Sequence, residues 1–155
     1  MMWEKSMSKI LRKIISFLFG GTLYFFIEIM TRGYSHYSMF ICGGISFVLV
    51  GMVGKTILEK NSIPEIAVFS IMLVGSLIIT TMELFTGIIV NIVFDMKVWD
   101  YSNMYCNVLG QICPLFSGFW ALISLPCVYM DSMIRKYIFG ENIEYIRNKK
   151  NINQT

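Results

Sequence analysis

Four apolar runs separated by short polar segments dominate this sequence and constrain its fold more than any other feature. The first extends from Ile14 to Met30, and the second from Met39 to Gly54, lengthened by Tyr37 and Ser38. The third begins near Ser62-Ile63-Pro64 and reaches about Val90, and the fourth covers Ile112 to Met130. An α-helix rises about 1.5 Å per residue, so roughly 20 apolar residues cross a hydrocarbon layer of ~30 Å. The second run is short on this measure, which predicts local thinning of the bilayer or flanking aromatic anchors. Ser62 can cap the third helix, and Pro64 suits its first turn. Pro126 removes the amide that would bond to the Leu122 carbonyl, so it predicts a kink in the fourth. The expected fold is an all-α membrane protein with four transmembrane helices. Residues 1–139 form the bundle and residues 140–155 a basic polar tail.

Composition agrees: 55% of residues are hydrophobic and only 15% charged, against about 25% charged in soluble domains. Orientation follows from the lysines and arginines. The five segments outside the runs carry four, one, two, one and five of the 13. Rich and poor segments alternate, as the positive-inside rule requires of a chain that crosses an even number of times. The reading is a multi-pass protein of the cell membrane with both termini cytoplasmic. The Lys55–Glu65 loop lies inside, and the Arg32–His36 turn and the Asp95–Gln111 segment lie outside. The first run has the basic start of a signal peptide but no small-x-small cleavage site, so it reads as a retained anchor. The basic segment after Asp131, with Arg135, Lys136, Arg147, Lys149 and Lys150, suits contact with anionic lipid.

Small residues recur at helical spacing: Ser16 and Gly20, Gly44 and Gly51, Ser117 and Ala121. Such spacing lets helix backbones approach closely within a bundle. Cys42, Cys106, Cys113 and Cys127 form no CxxC pair and, with a solitary His36, offer no metal-site spacing. The three in or beside apolar runs read as packing residues. No cofactor, metal or nucleic-acid partner is expected.

Charged groups inside a span cost a few kcal/mol, so each needs a reason. Glu28 lies roughly 21 Å along the first helix and Glu83 roughly 25 Å along the third, which places both in the outer third of the membrane. Arg32, His36, Asn91, Asp100, Asn107 and Gln111 share that side, and the eight together form the candidate substrate-binding cluster. Arg32 stands four residues after Glu28 and can pair with it. Glu83 has no cation on its own helix, so Arg32 is its first-choice partner from elsewhere, with Thr80, Thr81 and Thr86 able to hydrate it. In the outer loop, Trp99, Tyr101 and Tyr105 suit the headgroup level, and Asp100 and Ser102 suit a cap or re-entrant turn. A faint echo (carboxylate, glycine, Tyr-Ser, cysteine, glycine) runs through Glu28–Gly44 and again through Glu83–Gly110, suggesting a two-plus-two hairpin repeat. Gly54-Lys55-Thr56 mimics the end of a nucleotide-binding loop, but Leu49 occupies the position where the leading glycine belongs, so ATP hydrolysis by that route is excluded.

Thr81-Met82-Glu83-Leu84-Phe85-Thr86-Gly87, Trp99-Asp100-Tyr101-Ser102, Asn107-x-x-Gly110-Gln111-Ile112 and Trp120 resemble the bacterial family of putative type IV ABC-transporter membrane proteins. Glu28, Arg32-Gly33-Tyr34-Ser35-His36, Met39 and Gly43-Gly44 carry the same resemblance upstream, so that it covers roughly residues 24–139. Tyr105, where that family usually has proline, and a one-place shift of the proline near 114 depart from its pattern. The resemblance implies a transport permease, and the first reading is a permease-like, transport-associated subunit whose outward polar cluster would bind a small solute, a cation or a proton. It would act as a homo- or hetero-oligomer, with a partner membrane subunit or an ATPase. The alternative is a membrane scaffold with no transport activity of its own. A holin-like membrane-lesion protein fits the size but not the outer loop. The residues arrange no nucleophile or metal pair for an intramembrane enzyme, and none is expected.

Overall fold

The computed structural model describes residues 2–61 and 63–141, with side chains from Met7 onward. The described residues form helices α1 (Met2–Arg32), α2 (Tyr37–Lys60), α3 (Pro64–Gly87) and α4 (Pro114–Tyr137), and no strand. A π-helical turn, Ile88–Val93, continues α3. All four helices are long and apolar enough to cross a membrane. Less than half of each apolar span is buried in the protein, so stripes such as Phe69, Leu73 and Leu77 on α3 are left for lipid.

The second span is not short: α2 has 24 residues, about 36 Å of helix. The apolar run ends at Gly54 because Lys55 is charged, but the helix continues through Lys55 and Glu59 to Lys60. The loop expected from Lys55 to Glu65 therefore shrinks to the few residues before Pro64, which takes the first position of α3. Ile63 stands at that N-cap without a side-chain hydrogen bond, and the proposed Ser62 cap falls outside the described residues. So does the basic tail beyond Glu141.

Close approach of α1 and α2 rests on glycine facing aromatic residues. Gly20 packs on Phe47, Gly21 on Phe40, Gly43 on Tyr24 and Gly44 on Phe17, and a Cβ on any of these glycines would overlap its partner. In lipid, where apolar burial gives helices no net drive to associate, such interlocking is a main source of cohesion. The small-residue pairs do not each serve one interface. Gly44 meets α1, whereas Gly51 meets Asp131 of α4. Between α3 and α4 the contact is polar: the Ser76 hydroxyl donates to the Ser117 carbonyl at 2.6 Å and Thr80 to the Ser117 hydroxyl at 3.0 Å. Gly75 gives room for Ser124. Pro126 lies inside α4, as expected.

The α1–α2 connection is a tight turn. Gly33, at φ 81°, adopts the left-handed conformation that ends α1, and its amide bonds to the Ile29 carbonyl at 2.8 Å. His36 then caps α2: its Nδ1 accepts from the Ser38 amide at 3.3 Å and lies 2.8 Å from the Ser38 hydroxyl. By contrast the α3–α4 connection is long, folds against the bundle, and builds the site.

Candidate functional site

Glu83 stands one turn before the end of α3 and is only 2% exposed. A buried carboxylate needs donors on both oxygens. Trp120 of α4 donates its indole N–H to Oε2 at 2.8 Å, and the Tyr101 hydroxyl donates to Oε1 at 3.2 Å. That hydroxyl in turn accepts from Arg32 Nη2 at 3.0 Å. The Arg32 guanidinium pairs with Glu28 Oε1 at 3.2 Å, and Glu28 Oε2 accepts from the Ser35 hydroxyl at 2.7 Å. The chain Ser35, Glu28, Arg32, Tyr101, Glu83, Trp120 therefore joins α1, its following turn, the long loop, α3 and α4.

Arg32 and Glu83 thus meet through a phenol rather than as a direct ion pair. The Glu28–Arg32 pairing expected from the i,i+4 spacing is present. The three threonines do not hydrate Glu83 as the sequence suggested. Thr80 bonds to Ser117, Thr81 turns outward to the Leu77 carbonyl of its own helix, and Thr86 pairs with Cys42.

A second knot holds the loop itself. Asn91, in the π-helical turn, donates to Gln111 Oε1 at 2.7 Å and to the Trp99 carbonyl at 3.0 Å, and its Oδ1 accepts from the Val98 amide at 2.7 Å. The Trp99 indole donates to the Gln111 carbonyl at 3.0 Å. A π-turn widens the helix and re-aims side chains, and here it points Asn91 at the returning loop. Trp99 and Tyr101 are only 5% and 6% exposed, so they are not headgroup anchors. Tyr101 stacks on Phe116 at 4.6 Å, and both residues pack with Met39, Val90, Val98 and Cys113. Tyr105 alone of the three remains at the surface, 90% exposed. The signal available in the sequence was the alternation Trp-Asp-Tyr-Ser, which in an extended segment turns Trp99 and Tyr101 to one face and Asp100 to the other.

Asp100 and Asn107 lie at the exposed rim. Asp100 Oδ1 accepts from the Ser102 amide at 2.8 Å and from its hydroxyl. Those bonds hold the carboxyl below the usual aspartate range. Asn107 donates to the Ser102 and Met104 carbonyls and accepts from the Gly110 amide at 3.0 Å. Asp95, Lys97, Cys106 and Leu109 all adopt positive φ, between 50° and 54°, and the Asn107 bonds hold the strained backbone at Cys106 and Leu109 in place. Of the eight candidate residues, Glu28, Arg32 and Glu83 fall in one network and Asn91 and Gln111 in another. His36 serves as a helix cap, and Asp100 and Asn107 shape the loop rim. Tyr101 and Trp120, absent from the candidate set, supply both donors to Glu83.

Another charged cluster, at the opposite end of the bundle, had no sequence counterpart in the expected site. Asp131 and Arg135 form a buried pair one turn apart on α4, and the Ser16 hydroxyl of α1 donates to Asp131 at 3.0 Å. Arg12, Lys55 and Arg135 all approach Glu141. Among the described residues no group of three His, Cys, Asp or Glu side chains is placed to hold a metal. An apolar crevice between α2 and α3, lined by Val50, Val53, Ile57, Ile71 and Ile78, offers a solute no polar group.

The family model described as Putative ABC-transporter type IV matches residues 15–149, and so takes in nearly all of the bundle and every residue of both loop networks. The chain belongs to this family. No curated protein and no solved structure matches it. Membership together with four membrane-spanning helices makes this a transport-related, multi-pass membrane protein. In this member of the putative ABC-transporter type IV family, the matched region's buried polar residues knit the long loop to the helices.

Proposed function

We propose that the chain is a permease-like, membrane-embedded subunit of a transport system. It works in the cell membrane as a homo- or hetero-oligomer with other transporter components, a second membrane subunit or an ATPase. On this reading it carries out no enzymatic reaction itself. The termini and the Lys60–Pro64 turn face the cytoplasm and the long loop faces outward, a reading supported by the alternation of basic residues. The polar network acts as a lock that fixes the loop across the outer ends of α1, α3 and α4, presenting a rigid outer face to a partner. One observation carries this reading: Glu83 is 2% exposed and both of its oxygens are occupied by the chain's own donors. A carboxylate that bound solute would need a free oxygen or an opening. A two-plus-two repeat gains support from the similar placement of Glu28 and Glu83 near one end of the bundle. The burial of Cys42 against the exposure of Cys106 counts against it.

Measuring thermal unfolding of Glu83→Gln in detergent tests the lock. A lower midpoint is expected, and an unchanged one would remove the basis for the proposal. A second reading has its own support. Arg32 keeps 25% of its side chain exposed, and Glu28 Oε1 accepts no hydrogen bond. Glu28, Arg32 and His36 would then take a charged solute directly. In that case Arg32→Gln would abolish uptake in vesicles while the unfolding midpoint held.

A further inference from the structure

The cluster at the end of the bundle opposite the loop has the form of an anion site filled by the chain's own residue. Arg12, Lys55 and Arg135, from α1, α2 and α4, converge on the Glu141 carboxylate. Arg12 Nη1 lies 3.2 Å from Oε1, while Lys55 Nζ and Arg135 Nη1 lie 3.4 and 3.7 Å from Oε2. Two of the cations have a partner besides Glu141: Lys55 lies 3.7 Å from Glu59 on its own helix, and Arg135 is pinned within the bundle. Arg135 is held by Asp131, Asp131 is held by Ser16, and Gly51 leaves the space in which Asp131 sits. The Arg135 side chain is only 5% exposed. Glu141, in contrast, arrives on a turn. Gly140, at φ 62°, reverses the chain after α4, and the Glu141 amide bonds to the Arg135 carbonyl at 3.0 Å.

Two oxygens serve three cations here, so Lys55 and Arg135 share Oε2 at longer range than the Arg12 contact. A phosphate monoester presents three terminal oxygens and a charge of about −1.5 to −2 near neutral pH, which gives one oxygen to each cation. The cradle is open on one side, where Lys55 and Glu141 are 35% and 32% exposed. It also lies at headgroup depth. Arg12 precedes Arg32 by roughly twenty residues, about 30 Å of helix, which is the thickness of the hydrocarbon layer.

We propose that Arg12, Lys55 and Arg135 form a binding site for a terminal phosphate group, one with at least three unesterified oxygens, with Glu141 as a built-in competitor. The phosphate belongs either to a lipid such as phosphatidic acid or to free inorganic phosphate. Titrating the full-length protein in mixed micelles with each probe, read by native mass spectrometry, tests the site, with phosphatidylglycerol as the diester control. If Glu141 occupies the cradle nine-tenths of the time, Glu141→Gln raises apparent affinity about tenfold. Adding Arg12→Gln should abolish that gain. Gly140→Ala provides a second route, because it strains the left-handed turn and withdraws the carboxylate without changing any charge. A Cβ at that position would meet nothing within 4 Å. A gain with phosphatidic acid alone assigns the site to lipid, and a gain with inorganic phosphate alone assigns it to the free anion. No gain in either variant with either probe overturns the proposal. So does a gain that survives Arg12→Gln, or one equally large with phosphatidylglycerol.

Discussion

Tyr101→Phe isolates the hydroxyl that links the two charged halves of the loop-end network. The ring keeps its stacking on Phe116 at 4.6 Å, so the change is confined to one oxygen. Arg32 retains Glu28 at 3.2 Å and loses little. Glu83 Oε1 loses its donor while remaining buried. A hydrogen bond to a charged group contributes roughly 1.5–3 kcal/mol, and an unsatisfied buried acceptor costs about as much. We expect a loss of about 2–3 kcal/mol, which for a chain of this size lowers the unfolding midpoint by roughly 4–12 °C. Differential scanning fluorimetry in detergent reads this directly. Combining Tyr101→Phe with Glu83→Gln should then show a coupling of about 1–2 kcal/mol, since both changes remove the same bond. In parallel cycles Arg32 should couple more strongly to Glu28 than to Glu83. Additive losses for Tyr101 and Glu83 would refute the relay. Stronger coupling of Arg32 to Glu83 would restore the direct ion pair that the sequence suggested.

Asn91→Leu removes three hydrogen bonds that position the loop. Trp99 should move toward water, seen as a red shift and greater quenching of tryptophan emission, and unchanged emission would contradict its role. Gly51→Ala places a methyl group against the Asp131 side chain. Overpacking of this kind typically costs about 1–3 kcal/mol, so the midpoint should fall, whereas Gly118→Ala, with nothing within 4 Å of its Cβ, should be neutral. Reporter fusions at Glu59 and at the C-terminus should read cytoplasmic and a tag beside Lys97 external. A cytoplasmic signal at Lys97 would overturn the proposed topology.

Local chemistry along the chain is enough to specify one part of this protein. Apolar runs of sufficient length must become helices in lipid, because an unpaired backbone amide or carbonyl in hydrocarbon costs several kcal/mol. The four helices, the proline start of α3 and the Glu28–Arg32 pair follow from near neighbours along the chain. Family membership was legible in the loop and α3 motifs for the same reason. Which distant groups satisfy one another depends on how the helices and the long loop pack. Trp120 lies 37 residues from Glu83 and Tyr101 lies 18 away, and no periodicity links either to it. Ser16 and Asp131 are 115 residues apart. Composition placed Trp99 and Tyr101 at the headgroups because aromatic residues commonly settle there. The folded loop buries them instead, since Asn91 and Glu83 at the end of α3 need partners that the returning chain brings.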